Sequence, residues 1–277
     1  MRFHLPATAA IIIALCVGGQ TAQQPSDLPL SVAVAPFAVR DAKSGKLAST
    51  VAVVLGLREP APAEPVTDRL DVMVRAFAQN GDPRGETTQQ ATVSIPAGRD
   101  EEVTVEILSE LRLKPGLYTL RLSVSSARLS KAGRINADVE VPDFTSAPVS
   151  LSGVLLESNP GLLAAPIDAL TAITPIVPTT LRDFTMTHRA IAFLTVYQGG
   201  RGAVTPVTMK ARIQDSANRT VAESTSMLVA AQFGGPRAAD YQYQLPLTHL
   251  APGPHLLRLE ATRGTASARR DIRFTLR

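Results

Sequence analysis

A duplication constrains this chain more than any other feature: residues 113–124 read LKPGLYTLRLSV and residues 250–261 read LAPGPHLLRLEA, identical at six of twelve positions. Proline holds φ near the value a tight turn needs and glycine accepts positive φ, so Pro115-Gly116 and Pro252-Gly253 are expected to form type II turns. Beyond the first, Tyr118, Leu120, Leu122 and Val124 fall on one face and Thr119, Arg121 and Ser123 on the other, the period of a half-buried strand. His255, Leu257, Leu259 and Ala261 repeat the inward set. Arg121 and Arg258 therefore point outward at equivalent places, as solvated strand residues or, alternatively, as a shared binding pair. An alternating segment precedes each copy (103–108 and 241–247) and another strand-like segment follows it (136–141 and 271–276). Two copies of one fold are implied.

The remaining segments fit that scheme. Residues 47–57, 70–78, 90–95, 191–197, 207–214 and 220–228 have strand-like patterns, and Asn80-Gly81-Asp82-Pro83 is a hairpin signal. Turns are expected at 199–202 and 215–218, and the sequon Asn218-Arg219-Thr220 begins at the end of the latter. A short helix is expected at 164–173, between Pro160 and Pro175. The fold class read from this pattern is all-β: two immunoglobulin/fibronectin-III-like antiparallel β-sandwich domains in tandem, after a signal peptide. The expected boundaries are 1–22 signal peptide, 28–157 first sandwich, 158–180 connector and 181–277 second sandwich. The connector carries Pro160, Pro166, Pro175 and Pro178, yet its Leu162, Leu163, Ile167, Leu170, Ile173 and Ile176 are too apolar for a solvated linker. It is expected to pack against one or both domains.

The N-terminus reads as an export signal: Arg2, an apolar run from Leu5 to Val17, then small or polar residues, with cleavage expected after Ala22. The run is too short for a membrane span, so no stable anchor is expected. Cys16 has Leu15 before it where a lipid-modified cysteine wants a small residue, which makes it an ordinary signal-peptide residue. Cleavage then leaves a mature protein without cysteine, stabilised by its core alone in an oxidising compartment.

Net charge is +4, but aromatic residues make up only 4% and tryptophan is absent, which argues against nucleic acid, where bases stack on aromatics in a basic groove. The arginines near the C-terminus, Arg258, Arg263, Arg269, Arg270, Arg273 and Arg277, suit outward positions on a terminal hairpin or, as the alternative, an anion contact. His188, His249 and His255 form no zinc motif, although His249 and His255 bracket a turn and could approach each other. His188 has no identifiable nucleophile partner. Gly-x-Ser-x-Gly and phosphate-loop patterns are missing, and Asp100-Glu101-Glu102 reads as a solvated turn. Tyr241 and Tyr243 share a strand face and are the best candidates for a sugar platform, against cross-strand packing.

The residues at 113–124, 138–144 (DVEVPDF), 151–155, 182–184, 192–198 (AFLTVYQ) and 245–247 resemble the C-terminal region of large secreted bacterial proteins described as von Willebrand factor A-related. The likeness covers most of residues 30–277. In that family the A domain holds a divalent metal through an Asp-x-Ser-x-Ser loop; residues 41–45 are the nearest stretch and lack that spacing, so metal-dependent adhesion is not carried over. No catalytic, cofactor-binding or metal residue is expected, and no cofactor. The function expected is a non-catalytic interaction or structural module, secreted or periplasmic in a bacterial envelope, with a protein partner. A polysaccharide- or surface-binding module is the alternative, and a hydrolase with an unrecognised site a third.

Overall fold

A computed structural model describes residues 28–40, 47–98, 102–159, 161–235 and 237–277. The signal segment, Cys16, residues 41–45, Asp100 and Glu101 lie outside them. The chain is all-β. Its strands are β1 (Leu30–Arg40), β2 (Leu47–Pro60), β3 (Val66–Ala78), β4 (Pro83–Ile95), β5 (Glu102–Arg112), β6 (Gly116–Ser126), β7 (Lys131–Val141), β8 (Ser150–Leu151), β9 (Leu155–Asn159), β10 (Leu163–Ala165), β11 (Asp183–Phe184), β12 (Arg189–Tyr197), β13 (Val207–Gln214), β14 (Thr220–Leu228), β15 (Ala238–Gln244), β16 (Gly253–Arg263) and β17 (Ala266–Leu276). Among the described residues no helix is long and apolar enough to cross a membrane.

The first sandwich lays the sheet β4-β3-β6-β7 on the sheet β1-β2-β5-β10; the second lays β14-β13-β16-β17-β11 on β15-β12, whose far edge is lined by β8 and β9. Each has its own core, filled by alternate residues of facing strands: Val51, Val53, Val72, Val74, Leu120 and Leu122 in the first, Leu194, Val196, Met209, Ala211, Leu257 and Leu259 in the second. The hairpin at Asn80–Pro83 forms as expected, with Gly81 at φ 85°.

The duplication extends well past the twelve residues that reveal it. Across the outer sheet of the first sandwich, Glu86, Arg75, Arg121 and Asn136 lie in register; across the second, Glu223, Arg212, Arg258 and Asp271 do. Arg75 bonds Glu86 and Arg212 bonds Glu223. The Pro-Gly corners are equivalent too, but they are not type II turns. Gly116 and Gly253 take φ of 155° and 129°, far from the +80° or so such a turn requires. Both glycines open a strand directly, and the corner is stapled by a side chain instead: the Tyr118 hydroxyl donates to the Lys114 carbonyl at 2.9 Å, and His255 Nε2 sits 2.9 Å from the Ala251 carbonyl, four residues back in each case. This is the tyrosine corner of immunoglobulin-like sandwiches, with histidine substituted in the second copy.

Hydrogen bonding draws the boundaries differently from the expectation. Residues 150–159 pair with β12 and belong to the second sandwich, while 163–165 of the connector form β10, parallel to β5 of the first. The expected helix at 164–173 is absent: that strand is followed by successive turns, closed by Ala169 N to Pro166 O, Thr171 N to Asp168 O and Ile173 N to Leu170 O. Pro166 supplies no N–H, and Leu170 and Ile173 are drawn down onto the sheets beneath.

Candidate functional site

A third apolar core lies between the sandwiches. Ala33, Ala35, Phe37, Ala52, Val54 and Leu108, on the far side of the β1-β2-β5 sheet from the first core, meet Leu155 and Phe193 of the second sandwich and Leu170, Ile173 and Ile176 of the connector. Phe37 and Phe193 stack with centroids 6.1 Å apart. This explains why residues 50–57 and 192–197 are buried without interruption: β2 and β12 are covered on both faces. Polar groups stitch the rim. The Tyr197 hydroxyl bonds the backbone of Ala38 and Gly153 N–H donates to the Pro36 carbonyl, while within the second sandwich Arg270 donates to the Leu151 and Ser152 carbonyls beside Gly153. A Cβ at Gly153 would lie 2.5 Å from the Ala35 Cα, so only glycine allows this approach.

Glu106, on β5, is the seam's buried charge, about 1% exposed. Its Oε1 accepts from the Thr179 hydroxyl, the Thr180 N–H and the Thr180 hydroxyl at the end of the connector, and Ser31 donates in turn to the Thr180 hydroxyl. Burial pushes the Glu106 carboxyl above the usual carboxylate range, with the threonine bonds and Arg182 opposing. Burial likewise lowers Arg182 to about 10, with Glu106 opposing that shift. Glu59 is a second buried carboxylate, raised mainly by desolvation and paired with Arg128.

The side chains singled out in the sequence are mostly put to structural use. Tyr241 is about 8% exposed and faces the second core, with Tyr243 packed half-buried against it, which is the packing role and not its alternative, a sugar platform. Tyr118 and Tyr197 are buried as well. His188 Nδ1 accepts from the Thr185 N–H across a turn, beside the Phe184 ring. His249 is exposed whereas His255 is buried and stacked on Phe274, so the turn they bracket separates their environments. Arg121 covers the Phe77 ring at 4.4 Å and Arg258 grips Asp271 with two bonds. Arg263 holds the Pro148 and Ala203 carbonyls and the Thr205 hydroxyl, tying loops down rather than waiting for an anion. Among the described residues, no three His, Cys, Asp or Glu side chains converge as metal ligands.

Among the described residues, two open surfaces combine exposed apolar groups with room for a partner. A cleft of about 630 Å³ beside the first Pro-Gly corner combines Arg84, Arg112 and Lys114 with Leu113, Tyr118 and Phe144, and Arg84 is already bonded to Asp82. The other is β14, an outer strand nearly uncovered on both faces, with Val221, Met227 and the adjoining Val229 respectively 44%, 60% and 42% exposed. Sequence reading marked β14 only as a strand. Its signal was the string TVAESTSML, which lacks an apolar set on either face.

No protein-family model and no curated protein matches the chain. Solved structures share a distant likeness: an alpha-2-macroglobulin from Salmonella reacted with methylamine (9% identity, 91% of this chain and 25% of that one, TM-score 0.36), a glycosyl hydrolase family 2 member from Bacteroides cellulosilyticus (10%, 81% and 28%, 0.30) and dimeric latent PorU from Porphyromonas gingivalis (10%, 87% and 20%, 0.29). The chain spans less than a third of the length of each. Likeness at this level carries no argument about activity.

Proposed function

We propose that the chain is a non-catalytic interaction module that works outside the cytoplasm and binds a protein partner along the open edge of its second sandwich. The observation that carries the reading is the exposure of Val221 and Met227 on β14 and of Val229 just beyond its end. Each is already about half buried, so covering the rest against a partner contributes roughly 1 kcal/mol per side chain. The export-like N-terminus and the resemblance to accessory regions of von Willebrand factor A-related proteins support an extracytoplasmic setting. The apolar seam suits a module that presents its edges at a preferred angle.

The test is photo-cross-linking from Thr225 of the mature protein in its native envelope, followed by identification of the adduct. The expected result is one defined protein, captured at least tenfold less by the Val221→Glu/Met227→Glu double variant. Capture unaffected by those substitutions would overturn the reading.

A further inference from the structure

The internal repeat shows what an edge of this kind accepts. β5 and β15 are counterparts: each follows the outer strand of the opposite sheet, pairs with the doubly covered strand (β2 or β12) and leads to a Pro-Gly corner. In the first sandwich the other edge of β5 is taken by β10, with Leu163, Ala164 and Ala165 running parallel beside Val105, Glu106 and Ile107. Gln89 of β4 extends the cover by donating to the Leu108 carbonyl at 2.9 Å. In the second sandwich β15 ends its sheet, with no strand beside it among the described residues.

Its backbone is oriented to take one. Leu245 N–H donates to Ala190 and Gln198 N–H to the Arg237 carbonyl, both toward the β12 side. Antiparallel pairing alternates, so the N–H and C=O groups of Asp240, Gln242 and Gln244 face the open side. The facing sheet agrees. Aligning the copies through Glu86 and Glu223 makes Thr87 and Gln89 the counterparts of Ser224 and Ser226; the first pair is partly covered, the second exposed. Neither β14 nor β15 contains a proline or a lysine, and β15 has no bulge in its pairing with β12. Several other edges are blunted: β1 carries Pro36, β4 opens with Pro83 and a register shift near Ala76, β7 opens with Lys131, β5 is covered by β10, and β17 by β11.

We infer that the outer edge of β15 is a berth for an extended strand of a partner protein, added parallel to β15 as β10 is to β5. This deepens the proposed function and rests on it. The occupant's chemistry follows from the lining: Ala222, Ser224, Ser226, Gln242, Tyr243 and Gln244 carry no formal charge, and Asp240, the one acidic group among the residues facing the edge, already accepts from the Thr195 hydroxyl, so the strand that fits has no acidic residues and is built of small and apolar side chains, as Leu163-Ala164-Ala165 is. Main-chain hydrogen bonds give the affinity, and the half-open slot beneath β14 selects the side chains.

The defined probe is a synthetic peptide of residues 160–167, PGLLAAPI, titrated into the mature protein while backbone amide signals and hydrogen exchange are followed by NMR. Expected is slowed exchange at Gln242 and Gln244 with shifts at Ser224 and Tyr243. Gln242→Pro deletes one outward N–H on an edge where proline is tolerated. It should weaken peptide binding at least tenfold while β12–β15 amides keep their protection, which separates loss of the berth from loss of the fold. Perturbation confined to β5, or none at β15, overturns the inference. So does a dimer that Gln242→Pro returns to monomer, since that assigns the edge to a second copy. An envelope partner captured equally by wild type and Gln242→Pro overturns the berth while leaving the broader reading standing.

Discussion

Replacing Glu106 separates what the buried seam owes to hydrogen bonding from what it owes to charge. Glu106→Ala removes the acceptor of three donors, Thr179 Oγ1, Thr180 N and Thr180 Oγ1, in a site about 1% exposed. Each orphaned donor costs about 1–3 kcal/mol. Sparing the carboxylate its desolvation, several kcal/mol per ion, offsets much of that sum. Loss of the negative charge also leaves Arg182 without its counter-charge. The expected net destabilisation is about 3 kcal/mol, at the lower end of what breaking a buried charged contact costs. Glu106→Gln keeps an acceptor oxygen for the threonine donors; it also leaves Arg182 without its counter-charge but spares the carboxylate its desolvation, so at pH 7 it should lie within about 1 kcal/mol of wild type.

The pH dependence has a definite sign. Burial raises the folded carboxyl above the ordinary glutamate value of 4.5, so the folded state binds the proton more tightly than the unfolded state. The stabilisation is fully present below pH 4.5 and is lost as pH rises through the folded value. Urea unfolding of the mature protein between pH 4 and pH 8 should therefore show wild type gaining on Glu106→Gln as the solution is acidified. The difference between the two proteins is the readout, because other carboxylates such as Asp143, Asp215 and Glu223 are shifted downward and lose their contribution in acid. A wild type that loses ground to the Gln variant in acid would refute the reasoning. So would a Gln variant as damaged at pH 7 as the Ala one.

Two further outcomes follow from the seam and the corners. Gly153→Ala places a methyl 2.5 Å from backbone at Ala35, which no side-chain rotation relieves; it should cost about 2 kcal/mol or more and make residues 161–178 a faster target in limited proteolysis. Tyr118→Phe removes only the hydroxyl that staples the first corner, and thermal unfolding should fall by about 2–4 °C for a loss of about 1 kcal/mol.

Strand periodicity was legible because it is local. Tyr118, Leu120, Leu122 and Val124 announce their inward face by spacing alone, and the twin motif makes two sandwiches the economical reading. The corner geometry was only half legible. Pro-Gly signals a change of direction, but the bonds that choose the corner come from Tyr118 and His255, whose rings reach back to carbonyls four residues earlier. Tyr241 and Tyr243 were correctly placed on one strand face, yet whether that face met water or the second core depended on the opposite sheet.

Local pattern thus determined that this chain is all-β, where most strands run and that the architecture repeats. Tertiary structure alone decided that residues 150–159 join the second sandwich, that residues 50–57 are buried on both sides, and that Glu106 meets Thr179 and Thr180 across more than seventy residues. The reason is physical: a strand's side-chain alternation fixes its faces, but its edges carry the same N–H and C=O groups whatever the residues. Which neighbour fills an edge, as β10 does on β5, or leaves it open, as on β15, is settled by packing distant parts of the chain.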